Sequence, residues 1–205
     1  MTTRVKICGL TRSADVAAAV KAGADAIGFV FTVRSKRCVD SSAAKKLVRE
    51  VPAFVSRVGL FMDQDAKKVA HVLEQVPLSL LQFHGSESAD FCRQFGLPYI
   101  KAISMGPGQD VSMMGEAFHD AAGLLLDSHE PGGAGGTGKV FDWTGIPELC
   151  RPLVLAGGLT PENVARAVQQ VNPWAVDVSS GVEDAPGLKN VEKMNTFIKE
   201  AKREY

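Results

Sequence analysis

The sequence predicts an α/β fold in which eight parallel strands close into a single-domain (β/α)8 TIM barrel over residues 1–205. Three observations carry this prediction. Short apolar runs alternate with segments of helical period along the whole chain. These strand-helix units recur eight times at about 25 residues each, with no Pro/Ser-rich linker between them. Runs such as GLLLD and WAVDV show little polar alternation, as parallel strands covered on both faces do.

The first half of the chain contains four of these units. RVKIC is predicted as a strand and SADVAAAVKAGA as a helix, with Ser13 as its N-cap and Gly23 at its end. The next three pairs of strand and helix are DAIGFVF with SSAAKKLVREV, SRVGLF with DAKKVAHVLEQV, and LSLLQF with SADFCRQF.

The second half contains the other four: PYIKAI with DVSMMGEAFHDA, GLLLD with FDWTGIPELC, RPLVLA with TPENVARAVQQV, and PWAVDV with NVEKMNTFIKEAKREY. FDWTGIPELC is the weakest helical segment and follows a glycine-rich loop. Pro161 is predicted at the first helical position after strand seven. Eight units in this length favour a compact barrel over the alternative, a doubly wound open sheet.

Composition excludes several classes of function. The 23 Lys plus Arg balance the 23 Asp plus Glu without a basic run, so we expect no nucleic-acid partner. No apolar stretch approaches the roughly 20 residues of a membrane span, and Arg4 and Lys6 interrupt the first apolar segment, unlike a secretory signal. The four cysteines form no CxxC, which predicts neither a metal site nor disulfides and favours a cytoplasmic location.

In a barrel, the site residues gather where strands end and βα loops begin. Cys8 holds such a position, although a cysteine on a strand is usually inert packing. Arg37 lies in the basic loop after strand two and could bind a carboxylate through two parallel hydrogen bonds. His84 ends strand four, and we interpret it as a residue that shapes the ligand site.

Two carboxylates follow buried strands. Burying a carboxylate costs free energy unless the group is paired or has a function. Its desolvation raises its pKa, and a general acid needs such a raised pKa to hold its proton. For Asp127, which faces a glycine-rich loop, we favour a functional role. For Asp177 a role in the site and a structural salt bridge, to Lys6 or Lys101, are equally open.

Two turns late in the chain predict a phosphate site. Gly157 and Gly158 in LAGGLTPENV allow close backbone approach, and Ser180 and Gly181 in DVSSGVE offer backbone N–H groups and small hydroxyls. The loops after strands seven and eight commonly bind phosphate in this fold. The alternative is that both are only tight turns.

The loop SHEPGGAGGTGK contains a partial nucleotide-binding motif. Gly133 to Lys139 matches GxxxxGK, but Val140 stands where the metal-binding Ser/Thr is required. We therefore interpret this loop as a lid over the barrel mouth, the alternative being a solvated loop without a role.

The ordered set VKICGLT, GFVF with SKR, VGLF, LQFHGSE, LLLDS, GGTGKVFDW, LAGGLTPENV and VDVSSGVE resembles the phosphoribosylanthranilate isomerase family of tryptophan biosynthesis. No single segment would suffice, but together they span nearly the whole chain. The resemblance implies the Amadori rearrangement of N-(5-phosphoribosyl)anthranilate to 1-(2-carboxyphenylamino)-1-deoxyribulose 5-phosphate, by general acid/base catalysis without a metal or a cofactor.

The family's roles fall on residues already singled out. The catalytic base corresponds to Cys8 and the acid to Asp127, while Arg37 is similar to the residue that binds the anthranilate carboxylate. The turns Gly157-Gly158 and Ser180-Gly181 match the phosphate site. A cysteine acts as a base when a nearby cation or helix dipole lowers its pKa. Lys6 shares the side-chain parity of Cys8 on the first strand and could supply that cation.

Two other functions remain open. A histidine-pathway aminoaldose isomerase has a related reaction, but it uses an aspartate where Cys8 stands and its substrate carries a phosphate at both ends. A non-catalytic phosphate-binding barrel would tolerate the loss of Cys8 and Asp127. A small phosphosugar is the expected partner, and the chain is expected to be a monomer or a homodimer.

Overall fold

The computed structural model describes residues 2–106, 110–128 and 141–203. Eight parallel strands close into a barrel in which each strand pairs with its sequence neighbours and β8 pairs with β1. The strands are Arg4–Cys8 (β1), Ala26–Val30 (β2), Ser56–Phe61 (β3), Leu80–Phe83 (β4), Tyr99–Ser104 (β5), Gly123–Asp127 (β6), Leu153–Leu155 (β7) and Ala175–Val178 (β8). The predicted (β/α)8 architecture is confirmed.

Helices cover the outside of the barrel. They are Ser13–Ala22 (α1), Ser41–Arg49 (α2), Ala66–Gln75 (α3), Ala89–Arg93 (α4), Val111–Ala117 (α5), Val164–Val171 (α6) and Val191–Ala201 (α7). Short polar side chains begin several of them. Asp40 accepts a hydrogen bond from the Ala43 N–H at 2.8 Å, and Asn190 accepts one from the Lys193 N–H at 2.9 Å. None of the helices in the described ranges is long and apolar enough to cross a membrane.

Two apolar layers hold the fold. Inside the barrel, five apolar side chains pack together: Ile100 and Ala102 of β5, Leu125 of β6, Val154 of β7, and Ala156, which follows β7. The larger layer lies between the strands and the helices. Lys6 of β1 and Asp177 of β8 are buried polar side chains of the barrel, and they form an ion pair.

Three details differ from the predictions. The N-cap of α1 is Arg12, not Ser13, and it makes no side-chain cap bond. Residues 160–163 form a turn in which Asn163 is the N-cap of α6, so Pro161 is not the first helical residue. FDWTGIPELC forms no helix, since Gly145 and Pro147 interrupt its period.

An antiparallel pair of short strands follows the barrel and was not predicted. Glu183–Ala185 (β9) pairs with Leu188–Lys189 (β10) around Gly187, whose φ is 81°. A 3-10 turn, Ser180–Val182, connects β8 to β9. This hairpin follows the carboxyl end of β8, which lies at the mouth of the barrel. Its side chains can therefore reach the mouth.

Candidate active site

All five predicted catalytic and substrate-binding residues line one cavity at the carboxyl-terminal end of the barrel. Cys8, Arg37, His84, Asp127 and Asp177 surround a volume of about 70 Å³. Cys8 and Asp127 are the last residues of β1 and β6, and His84 directly follows β4. Parallel strands bring these distant positions together because their carboxyl ends meet at one rim.

A second cavity of about 50 Å³ adjoins the first. The predicted phosphate-binding residues Gly157, Gly158, Ser180 and Gly181 line it. Asp127, Asp177 and Ser179 line both cavities. An elongated ligand could therefore lie across both, with one end at the glycine turn.

The backbone of the second cavity is shaped to approach an anion. Gly157 and Gly158 have φ values of 83° and 64°, a left-handed conformation that glycine adopts without strain. A Cβ on Gly181 would collide with the carbonyl oxygen of Leu159. The N–H groups of Gly157, Gly158, Ser180 and Gly181 make no hydrogen bond to another described residue. Converging free N–H groups of this kind form anion sites.

Asp177 takes part in a buried ion pair. Its Oδ1 lies 2.8 Å from Lys6 Nζ, and the two side chains are 9% and 5% exposed. The predicted alternative of a salt bridge to Lys6 is thus realised, although Asp177 also lines both cavities. Lys101 pairs instead with Glu87, at 2.9 Å, outside the site.

The electrostatics around Cys8 oppose ionisation of its thiol. Burial raises the pKa of Cys8 above the usual 9.0, the charge of Lys6 lowers it, and Asp177 raises it again. Lys6 thus acts on the pKa of Cys8 in the expected direction, but burial outweighs the cation and the pKa is raised overall. For Lys6, burial lowers the pKa, but the charges of Asp177 and Cys8 more than offset this and raise it above 10.5. Lys6 is therefore a cation beside the thiol.

His84 lies between a carboxylate and an amide. Its Nε2 is 3.5 Å from Asp127 Oδ2, and its Nδ1 is 2.9 Å from Gln82 Nε2. Gln82 is fully buried in β4 and lines the same cavity. Its Oε1 accepts no hydrogen bond from the described residues. A buried acceptor without a donor costs stability.

Arg37 is held by a carboxylate. Its Nε and Nη2 donate to Glu183 Oε1 and Oε2 at 2.8 and 2.6 Å, a bidentate pair. This hydrogen bonding raises the pKa of Arg37. The stem of Arg37 passes over Gly9, where a Cβ would lie 2.5 Å from Arg37 Cδ. The glycine after Cys8 is thus required by this close approach as well as by its φ of 75°.

Sequence reasoning missed Gln82, Glu183 and Lys189. Gln82 precedes His84 by two residues, so strand parity places both on one face and could have found it. Glu183 is 146 positions from Arg37, and no local pattern indicates this pair. Lys189 lies on a hairpin that the sequence did not predict.

One predicted feature is not described by the structure, and one large groove lies away from the site. Of the predicted lid SHEPGGAGGTGK, every residue after Ser128, with the partial GxxxxGK motif, falls outside the described residues, so the lid stays a prediction. A larger groove of about 800 Å³ opens at the opposite end of the barrel, lined in part by Arg4 and Trp174, and it contains no predicted site residue. No group of three or more metal-ligating side chains occurs within residues 2–106, 110–128 and 141–203.

Comparisons with known proteins agree on one family. The family model described as N-(5'phosphoribosyl)anthranilate (PRA) isomerase matches residues 5–200. N-(5'-phosphoribosyl)anthranilate isomerase of Acidithiobacillus ferrooxidans is 52% identical over 195 residues, 95% of each chain. A crystal structure of phosphoribosyl anthranilate isomerase with reduced 1-(o-carboxyphenylamino)-1-deoxyribulose 5-phosphate superposes with a TM-score of 0.86, at 39% identity over 98% of each chain. Monomers of the dimeric isomerase from Thermotoga maritima give a TM-score of 0.85, at 38% identity over 98% of each chain.

Proposed function

The chain belongs to the N-(5'-phosphoribosyl)anthranilate isomerase family, and we propose that Cys8 and Asp127 are the base and the acid of the reaction. That reaction, in tryptophan biosynthesis, is the Amadori rearrangement of N-(5'-phosphoribosyl)anthranilate to 1-(2-carboxyphenylamino)-1-deoxyribulose 5-phosphate. The observation that carries the assignment is that both residues end strands on the rim of one cavity, which adjoins the glycine turn. One domain over residues 1–205 provides the whole site.

The substrate is placed by its two anionic ends. Its phosphate binds the N–H groups of Gly157, Gly158, Ser180 and Gly181, and its carboxylate binds Arg37 at the far side of the first cavity. The sugar then lies between Cys8 and Asp127, and His84 and Asp177 form the walls beside it. This placement fits the shared lining of the two cavities.

The chemistry needs one proton delivered and one removed. Asp127, as the acid, protonates the ribose ring oxygen, and the C1–O bond breaks to give a Schiff base at C1. Cys8, as the thiolate, removes the proton from C2, and the electron pair moves to form the enolamine. Protonation at C1 and loss of the 2-hydroxyl proton then give the ketone. Each transfer by a positioned group contributes about 10²–10⁴-fold.

Lys6 and His84 support the two transfers. Lys6 is the buried cation whose charge lowers the pKa of Cys8 against the effect of burial. His84 Nε2, at 3.5 Å from Asp127 Oδ2, is close enough to orient that carboxyl group toward the ring oxygen.

The test is a continuous fluorescence assay with phosphoribosylanthranilate generated in situ, comparing the wild type with Cys8→Ala and Asp127→Asn. Both variants should lose at least about 10²-fold in turnover. Cys150→Ala, at an exposed cysteine, is the matched control and should retain full activity. Wild-type turnover that survives in Cys8→Ala would overturn the role of the thiol and keep the reaction.

We propose a cytoplasmic location, because all four cysteines are free thiols, as a reducing compartment favours. Of the two expected oligomeric states, monomer and homodimer, we propose the homodimer. The relative from Thermotoga maritima is described as dimeric, and Phe54, which is fully exposed with a φ of 69° in the loop before β3, offers a large apolar side chain to such a contact. Sedimentation equilibrium of the wild type and Phe54→Ser tests this: a wild-type monomer would refute it.

A further inference from the structure

Glu183 and Lys189 form a buried charged cluster next to Arg37. The side chains of Glu183 and Lys189 are 4% and 0% exposed, and Lys189 Nζ lies 2.7 Å from Glu183 Oε1. Glu183 also accepts the two hydrogen bonds from Arg37. Burial raises the pKa of Glu183, but the hydrogen bond from Arg37 and the charge of Lys189 lower it below 4.5. The carboxylate therefore stays ionised.

Lys189 reaches the other end of the site as well. Its Nζ lies 3.0 Å from the carbonyl oxygen of Ser179 and 3.4 Å from the Ser179 hydroxyl oxygen. Ser179 lines both cavities and precedes the 3-10 turn of the predicted phosphate site. One ammonium group thus connects the carboxylate that holds Arg37 with the turn that holds the phosphate.

The cluster also restricts how Arg37 can move. Glu183 occupies Nε and Nη2, and the stem of Arg37 rests on Gly9. The side chain is only 11% exposed, so few other rotamers are available to it. Nη1, which makes no hydrogen bond to another described residue, is the group left for a ligand. Arg37 and Lys189 carry two positive charges and Glu183 carries one negative charge, so the cluster keeps one positive charge for an anionic ligand.

We propose that Glu183 and Lys189 are positioning residues, Glu183 aiming Arg37 at the substrate carboxylate and Lys189 linking that contact to the phosphate turn through Ser179. This inference rests on the proposed function, because it takes Arg37 as the carboxylate-binding residue. Neither residue touches the reacting atoms. Their effect is on binding, and it differs between the two ends of the ligand.

The experiment uses two stable analogues of the product in calorimetric titrations. One is reduced 1-(2-carboxyphenylamino)-1-deoxyribulose 5-phosphate, and the other is its phenylamino counterpart without the carboxylate. The Kd of the phenylamino analogue divided by the Kd of the carboxylated analogue measures the carboxylate contact in the wild type. Glu183→Gln should reduce this ratio about 10- to 100-fold, as expected for a charge-assisted contact, while the affinity for the phenylamino analogue stays unchanged.

Lys189→Met should weaken the binding of both analogues, because it removes the hydrogen bonds of Lys189 to Ser179 as well as the one to Glu183. Asp184 on the same hairpin forms an exposed ion pair with Lys193 of α7, at 3.0 Å, so Asp184→Asn is the matched control for Glu183→Gln. Lys199→Met, at an exposed lysine of α7, is the control for Lys189→Met, and both control variants should bind the two analogues normally. Circular dichroism checks folding, and Glu183→Asp, which keeps the charge but shortens the reach, replaces Glu183→Gln if that variant is unfolded.

The outcomes separate the two proposals. Wild-type protein that binds neither analogue would refute the proposed function. Wild-type binding with a carboxylate preference that Glu183→Gln retains would overturn the positioning role alone. Equal losses for both analogues in Glu183→Gln would indicate general structural damage and would also overturn it.

Discussion

Lys6 and Asp177 face each other across the seam where the barrel closes. They are register partners in the parallel pair of β1 and β8, and Lys6 Nζ lies 2.8 Å from Asp177 Oδ1. The pair joins the first and last strands of the barrel, and it also holds an ammonium group next to the Cys8 thiol. One interaction therefore contributes to both the closure of the barrel and the electrostatics of the Cys8 thiol.

Replacing Lys6 should raise the pKa of the Cys8 thiol. In Lys6→Met the cation that lowers this pKa is lost and the charge of Asp177, which raises it, is no longer balanced. Ultraviolet titration of the thiolate, taken as the difference between each protein and its Cys8→Ala counterpart, isolates this group from the other thiols. Lys21→Met, at an exposed lysine of α1, is the control. An unchanged titration in Lys6→Met would remove Lys6 from the mechanism.

Gly28 is predicted to be essential for the geometry of Cys8. A Cβ at this position would lie 2.8 Å from Cys8 Sγ and 3.2 Å from Lys6 Cε, so Gly28→Ala must displace the thiol. A misplacement of about 1 Å can cost about 10²-fold in rate, and we expect a loss of that size in kcat. The measurement is steady-state kinetics, with the thermal midpoint recorded in parallel.

Gly115→Ala is the matched control, because the nearest atom to its added Cβ would be 3.5 Å away, an ordinary contact. It should retain wild-type kcat. Wild-type kcat in Gly28→Ala would show that the position of the thiol is not critical.

Gln82→Met should reduce activity more than stability. The Oε1 of Gln82 has no donor among the described residues, so its removal leaves no partner unsatisfied, whereas His84 loses the amide 2.9 Å from its Nδ1. We expect kcat/KM to fall about tenfold, because the loss of one hydrogen bond has an effect of about this size. Gln75→Met removes a comparable Gln–His contact of 2.8 Å on the surface of α3 and should leave kcat/KM unchanged. Equal kinetics for both variants would contradict the prediction.

Acid stability should depend on Asp120. Hydrogen bonds from Arg93 and Tyr99 lower the pKa of Asp120 from 3.8 to about 2. Between these values the unfolded chain binds more protons than the folded chain, so this contribution is complete above the unfolded pKa and is lost as the pH falls toward 2. Asp120→Asn should therefore unfold more easily at neutral pH and show a shallower loss of stability between about pH 4 and 2.

Urea unfolding at a series of pH values measures this. Glu116→Gln, at an exposed carboxylate on the neighbouring helix α5, should follow the wild-type curve. A parallel displacement of the Asp120→Asn curve at every pH would mean that the proton linkage is absent.

Much of the fold follows from local pattern. Buried strands such as GLLLD and the glycine at the end of α1 are visible in short segments, because a helix end or a covered strand depends on its near neighbours. Gly145 and Pro147 likewise oppose helix formation in FDWTGIPELC, which the sequence analysis recognised only as a weak segment. The starts of α1 and α6 differ from the predicted ones, and neither N-cap residue, Arg12 or Asn163, makes a side-chain cap bond that would have marked the position.

Local patterns were enough to predict the barrel, the rim positions of Cys8 and Asp127, and the glycine turns after β7 and β8, because strand ends and tight turns depend on near neighbours. The tertiary structure decided that Lys6 pairs with Asp177, that burial raises the pKa of Cys8 despite the cation beside it, and that Glu183 holds Arg37. Desolvation and ion pairing depend on groups more than 100 positions apart that meet only when the barrel closes, and no local segment contains that information.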